Sequence, residues 1–448
     1  MIHLKKLPLA LNVLAAAALP ATCLAFDPVA AKAAVDTELN ANYAQLLDLY
    51  KDIHTHPELG FQETRTAALL ARQMRSLGFT VTEHVGKTGI VAIYKNGTGP
   101  TVLVRTELDA LPLEEKTGLP YASKAKQLWQ GKETFVDQAC GHDIHMAVWV
   151  GTAKALLAMK DRWHGTLMFI GQPSEEAATD GVSGAKAMLD DGLFTRFPKP
   201  DVGFALHNMP LPFGVYYRAG VLTSNSNDLM VTFRGKGSHG SMPQESIDPV
   251  LMAARFVDDV QSVISREKDP SAFGVITVGA IQSGSAGNII PDTAVLRGTI
   301  RSYDPAVREK LFAGIDRTAN AVAQMSGASA PEVSVHGGVN YQSVVNDATV
   351  TAHAATVFKA AFGEQAHEMP GPMSGSEDYS EFILAGVPSL YFAVGGYAPE
   401  RVAEARKSGE HLPVNHSPTY APVPEQTIRT GVEAMTLAVM NAMPPSGP

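Results

Sequence analysis

The stretch DQACGHDIHMA (137–147) sets a cysteine and two histidines within six positions. Cys140 and His142 lie two apart, and residues two apart do not share a helix face. They can converge on one ion only from a loop or extended segment that leads into a helix, and Gly141 leaves that backbone unconstrained. Thiolate and imidazole together suit zinc and related divalent cations. Taken alone, the pair reads equally as a buried thiol beside a hydrogen-bonded histidine. Other positions add to it. Glu175 and Glu176 follow the apolar run GTLMFIGQP (165–173), and adjacent side chains there point in different directions. One carboxylate can bind a metal while the other faces substrate as a base. His207 ends the run DVGFALHN (201–208), Asp109 closes TVLVRTELDALP (101–112), and His416 lies in VNHSPTY (414–420). Singly, these are solvated glutamates, a core histidine, a turn aspartate and a surface histidine. Together, five strand ends or adjoining loops carry metal-capable groups, enough for two ions with a shared ligand.

The elements that must position these groups alternate. A helix is expected over roughly 36–54 and a second over 63–78, closed by Gly78. Strands follow in TVTEHV, GIVAIYK and TVLVRTEL, then a helix after GHD with Met146, Val150, Ala153 and Leu157 at helical spacing. The unbroken apolar run 165–173 fits the buried middle of a sheet. This is α/β layering, with a catalytic mixed sheet flanked by helices and metal-capable groups at carboxyl ends of strands, where α/β sheets place their sites. The rhythm changes near Leu222. NDLMVTFRG alternates, Asp248-Pro249 and Asp304-Pro305 each open a helix, and the order becomes β-α-β-β-α-β, a ferredoxin-like unit inserted over 222–334. The expected division is a leader (1–25), a first catalytic part (26–221), the inserted unit, and a second catalytic part (335–448).

Composition narrows the function classes. The chain has 448 residues, 45% hydrophobic and 18% charged, with formal net charge −9. No run of Lys and Arg appears, which argues against nucleic acid as a partner. No G-x-S-x-G is present, which argues against a serine hydrolase. Lys5 and Lys6 precede an apolar segment, Leu7 to Leu19, too short to span a bilayer, and Cys23-Leu24-Ala25 offers a cleavage site after Ala25. The expectation is a signal peptide and a periplasmic or secreted protein, with no membrane association after its removal. Cleavage takes the net charge from −9 to −11 and leaves Cys140 the sole cysteine. No internal disulfide can then form, and a thiol held by metal is protected where a free one is a liability.

The order of the motifs HTHPELGFQET (54–64), RTELDALP (105–112), ACGHDIHMA (139–147), GQPSEE (171–176), HN (207–208), GKGSHGSMP (235–243), GNIIPD (287–292), GSEDY (375–379) and NHSP (415–418) resembles the M20 metallopeptidases. The likeness is to their amidohydrolase branch, which contains hydrolases of auxin conjugates, hippurate and other N-acyl amino acids. The resemblance implies two divalent ions (Zn, Mn, Co or Ni) on Cys140, His142, Glu176, His207 and His416. It implies Glu175 as general base and Asp109 as the group that orients a metal-bound histidine. It further implies that the inserted unit is a lid and dimerisation domain, giving a homodimer. From it, His239 would stabilise an oxyanion, and Asn288 and Arg301 would reach substrate, with Arg301 clamping a free carboxylate. The implied reaction is hydrolysis of the amide of an N-acyl amino acid or small peptide by metal-activated water. A dipeptidase or carboxypeptidase on the same site is one alternative, and a metal- or solute-binding protein without hydrolysis is another. The chain departs from the branch at Glu107, where Asp is usual, and at Ser174, where Ala is usual.

Overall fold

The computed structural model describes residues 26–176, 181–337 and 340–443. The expected leader, 1–25, lies outside them. Helix α1 spans Pro28–Thr55 and α2 Thr64–Ser76. α1 starts at Pro28 rather than near 36, because Asp27 accepts from the Val29 and Ala30 N–H groups and Pro28 fills the first helical position. Strands β1 (Thr80–Val85), β2 (Gly89–Asn96) and β3 (Thr101–Glu107) lead to α3 (His142–Ala158), then β4 (Gly165–Gln172), β5 (Val202–Pro212) and β6 (Val215–Tyr217). Next come β7 (Ser226–Arg234), α4 (Pro249–Asp259), β8 (Gly274–Ser283), β9 (Thr293–Ser302), α5 (Pro305–Met325) and β10 (Glu332–Ser334). The chain then adds α6 (Ala348–Phe362), β11 (Ala366–Glu368), β12 (Ser389–Tyr397) and α7 (Pro424–Ala442).

The large sheet runs β1-β2-β4-β3-β5-β12-β6-β11 and is mixed. β3 pairs parallel with β4 and β5, and β12 parallel with β5, while β1, β2 and β4 pair antiparallel in turn. Its middle is buried on both faces, which is why those strands lack polar alternation. Leu167 and Phe169 of β4 join one apolar cluster with α1, α3 and α7, whereas Met168 and Ile170 join another on the opposite face. β3, β5 and β12 divide the same way, with Val104, Phe204 and Phe392 on one side and Leu103, Ala205 and Tyr391 on the other. α3 is buried along nearly its whole length, at the crossing with α1 and α7. A Cβ at Gly151 would stand 2.6 Å from Val432 and 2.9 Å from Leu46. The second sheet runs β8-β9-β7-β10, all antiparallel, with α4 and α5 covering a core of its own.

His54, near the end of α1, is buried between two carboxylates: Nδ1 lies 2.6 Å from Asp143 Oδ2 and Nε2 3.2 Å from Glu115 Oε1. Burial alone would lower its pKa, but the Asp143 and Glu115 contacts raise it to about 10. A histidine that binds its proton more tightly when folded contributes stability that is full below its unfolded value of 6.5 and lost as pH rises through about 10. Asp137, pushed up from 3.8 to about 7 by burial and then by Glu115, also disfavours the folded state as pH rises. The expected result is a melting temperature that falls between about pH 6.5 and 10, with a flatter profile in His54→Gln, read by thermal unfolding across that range.

Candidate metal centre and active site

β3, β4 and β5 end at the same edge of the sheet, and their carboxyl ends bring the chemistry together. Beyond β3 lies Asp109, beyond β4 lie Glu175 and Glu176, and His207 is on β5 itself. Cys140 precedes α3, and His142 is its first residue. The residue between them, Gly141, has φ +87°, and a Cβ there would stand 1.9 Å from Asn208 Nδ2. Only glycine allows both this turn and that approach, and the turn delivers thiol and imidazole to one point. His416, itself at φ +69°, comes from the loop before α7, where its N–H donates to Ala139 O.

Cys140 Sγ lies 3.2 Å from His207 Nε2, His416 Nε2 3.0 Å from Glu176 Oε1, and His142 Nε2 3.9 Å from oxygens of both Glu175 and Glu176. Among the sets whose ligand atoms fall within 4.8 Å of one another are Cys140, His142 and His207; Cys140, Glu176 and His416; His142, Glu175 and Glu176; and, just behind them, Glu107, His142 and His145. His142 Nε2 is buried with no hydrogen-bond partner. So is Glu176 Oε1, whose contact with His416 is an ion pair without hydrogen-bond geometry. A buried lone pair without a donor is costly, and a cation satisfies both atoms. The tautomers agree, since the far nitrogens are engaged: His142 Nδ1 donates to Asp109 O (2.9 Å) and His207 Nδ1 to Asn208 O (2.6 Å). That directs each Nε2 lone pair inward. The residues present therefore fit a pair of divalent ions.

The resemblance implies that Asp109 orients a metal-bound histidine, and it lies against His142. Its backbone carbonyl takes the shorter contact with His142, and the carboxylate Oδ1 is 3.5 Å away. Oδ2 accepts the Glu176 N–H at 2.9 Å, so the side chain fixes the glutamate turn as well.

Charge is strongly tuned here. Burial, followed by Glu377, Glu176 and Asp378, pushes the Glu175 carboxyl well up. Burial also works against a charged Glu176, but the His416 contact and His142 hold it down at about 2. Burial and then His145 push His207 down to about 3, which keeps its imidazole neutral. Two adjacent carboxyls with opposed shifts are suited to different tasks, one charged ligand and one proton carrier.

A cavity of about 810 Å³ opens over this centre, between the two sheets. Cys140, Glu175, Glu176, His207 and His416 form its floor, and Phe273, Val275, Met373 and Arg301 contribute to its walls. Arg301 donates to Ser376 Oγ at 3.1 Å. The structure does not bring His239 and Asn288 to the cavity. They sit at an exposed two-stranded ladder, Ser238–His239 against Ile289–Ile290, where His239 Nδ1 accepts from the Ser241 N–H. Arg105 and His145, to which the sequence assigns no role, join Glu107 and the GSEDY segment, which it places around the metal ligands and the substrate pocket. Arg105 is buried and bonded to Glu107, Glu377, Asp378 and Gln172. Glu107 also takes His145 Nδ1 at 2.9 Å, and Tyr391 donates to Glu377. The motif GSEDY was the available signal, and Gly375, Ser376 and Glu377 of it line the cavity.

Comparison with known proteins gives the same reading. A family model described as peptidase family M20/M25/M40 matches residues 103–440. Hippurate hydrolase of Campylobacter jejuni is 36% identical over 336 residues, covering 74% of this chain and 82% of that protein. Thermostable carboxypeptidase 1 of Saccharolobus solfataricus is 34% identical over 396 residues, covering 88% and 94%. The crystal structure of a dinuclear metal-binding peptidase of the M20 family from Bacillus subtilis matches with a TM-score of 0.70 at 26% identity, covering 90% of this chain and 98% of that one. The matched span takes in every residue of the metal centre, from Asp109 to His416, and the chain belongs to peptidase family M20/M25/M40.

Proposed function

We propose that this chain is a dinuclear metal-dependent amidohydrolase that cleaves the amide bond of an N-acyl amino acid or small peptide bearing a free carboxylate. The observation that carries this reading is that two buried atoms without a hydrogen-bond partner, His142 Nε2 and Glu176 Oε1, lie among interlocking ligand sets beneath one cavity. Cys140, His142, Glu176, His207 and His416 would hold two divalent ions of the Zn, Mn, Co or Ni type. Bound there, the ions lower the pKa of water and polarise the substrate carbonyl. Glu175, whose carboxyl binds a proton readily in this setting, takes the proton of the attacking water. It returns that proton to the nitrogen as the amide breaks, so that an amine leaves. Arg301, on the cavity wall, holds the substrate carboxylate. Metal analysis of the purified protein, paired with turnover on a panel of acyl-amino acids and dipeptides, tests the reading.

Arg301→Ala is expected to raise KM for carboxylate-bearing substrates by about 10- to 100-fold, the effect of losing a charged hydrogen bond. The same change should leave kcat nearly unaltered, and initial-rate kinetics on a substrate and its carboxamide analogue check it. Carboxypeptidase or dipeptidase action on the same centre is a second reading, favoured by the likeness to a thermostable carboxypeptidase over 88% of the chain. The ratio of kcat/KM for acyl-amino acids to that for dipeptides separates the two.

The segment 222–334 is proposed as a lid and dimerisation unit, with light scattering of the purified chain as its check. Export with cleavage after Ala25, to the periplasm or beyond, is likewise part of the proposal, and the N-terminal sequence of the mature protein tests it. Among the described residues, no helix is long and apolar enough to cross a membrane.

A further inference from the structure

The metal centre and base depend on one backbone feature that the reaction itself does not explain. Ser174, the residue before Glu175, is fully buried with φ +44°, in the left-handed region that β-carbon-bearing residues avoid. Its surroundings match that conformation. Gly60 leaves room for its side chain, since a Cβ on Gly60 would stand 2.5 Å from Ser174 Oγ. Gly184 N–H donates to Ser174 O at 3.0 Å. Glu63, buried at the start of α2, accepts the Ser174 N–H on Oε1 at 2.8 Å and the Thr88 hydroxyl on Oε2 at 2.6 Å. Glu63 makes no capping bond to its own helix, so its carboxyl is directed at this turn.

We propose that Glu63 is a positioning residue that holds Ser174 in the left-handed conformation and thereby aims Glu175 and Glu176 into the cavity. The inference rests on the amide-hydrolysis reading and adds to it the group that sets the two carboxylates. Because Glu175 and Glu176 follow directly, a turn relaxed to negative φ rotates both side chains away from His142 and His416. Asp109 Oδ2 secures the far side through the Glu176 N–H, so the glutamate pair is held at both ends by carboxylates. Glycine populates positive φ without strain, and replacing Ser174 with it removes the need for the Glu63 anchor.

The test compares Glu63→Ala, Glu63→Gln and the double variant Glu63→Ala with Ser174→Gly in the full chain. Metal affinity is read by chelator competition without substrate, and kcat and KM are read on the acyl-amino-acid panel. Glu63→Ala should lose metal affinity by about 10- to 100-fold, as expected when a group supporting a ligand is removed, and should lower kcat with KM nearly unchanged. Adding Ser174→Gly should recover both quantities. Glu63→Gln, whose amide oxygen still accepts the Ser174 N–H, should stay close to the parent. A folded Glu63→Ala with parental affinity and kcat overturns the proposal, as does a double variant no better than the single one. If Glu63→Ala does not fold, Glu63→Gln decides, because weakened metal binding in that folded protein also overturns it. A parent without turnover on any amide would fail the functional reading, while the metal affinities would still rank the variants.

Discussion

Glu175→Gln keeps its metals and loses turnover by about 10²- to 10⁴-fold, the range for removing a positioned general acid–base. The change is nearly isosteric in a site already crowded by Glu176, Glu377 and Asp378, so the fold and the ligand set stand. The glutamine cannot accept the proton of water or deliver one to the departing nitrogen, and so the loss falls on kcat. Metal content, thermal midpoint and steady-state kinetics on one substrate check the three parts separately. A variant with parental kcat would remove Glu175 as the base.

His142→Ala abolishes stoichiometric metal binding and lowers activity beyond the loss in Glu175→Gln. His142 shares candidate ligand sets with Cys140 and His207, with Glu175 and Glu176, and with Glu107 and His145. Its ring is fully buried, and Nδ1 is fixed by Asp109 O, so no neighbour replaces Nε2. Without that imidazole, Glu175 and Glu176 also lose the ring nitrogen that lies 3.9 Å from both. Metal analysis after gel filtration, together with thermal unfolding to confirm the fold, measures the effect. Full metal occupancy in the folded variant would contradict the assignment.

The mixed sheet was legible because its middle strands are buried on both faces and so read as short apolar runs. The ends of those runs point to Asp109, Glu175 with Glu176, and His207. The pair Cys140 and His142 was legible for a local reason, since spacing of two around glycine requires a turn before a helix. The start of α1 was not, although Asp27-Pro28 is the same cap that marked Asp248-Pro249 and Asp304-Pro305. The segment after it is rich in alanine, and its apolar periodicity is weak. Contacts across long separations were invisible for a more basic reason. Glu63 meets Ser174 across 111 positions and Arg105 meets Glu377 across 272, and no local pattern encodes such pairs. His239 and Asn288, which motif resemblance assigns to substrate, lie on a short ladder that faces solvent in the single chain, away from that chain's own cavity.

The most direct test is the cation content of the purified, folded protein, followed through chelation and reconstitution with amide hydrolysis recorded at each stage. The account predicts two divalent ions per chain, loss of hydrolysis when they are stripped, and its return when they are restored. A folded preparation that hydrolyses amides with no bound cation and is indifferent to strong chelators would contradict it.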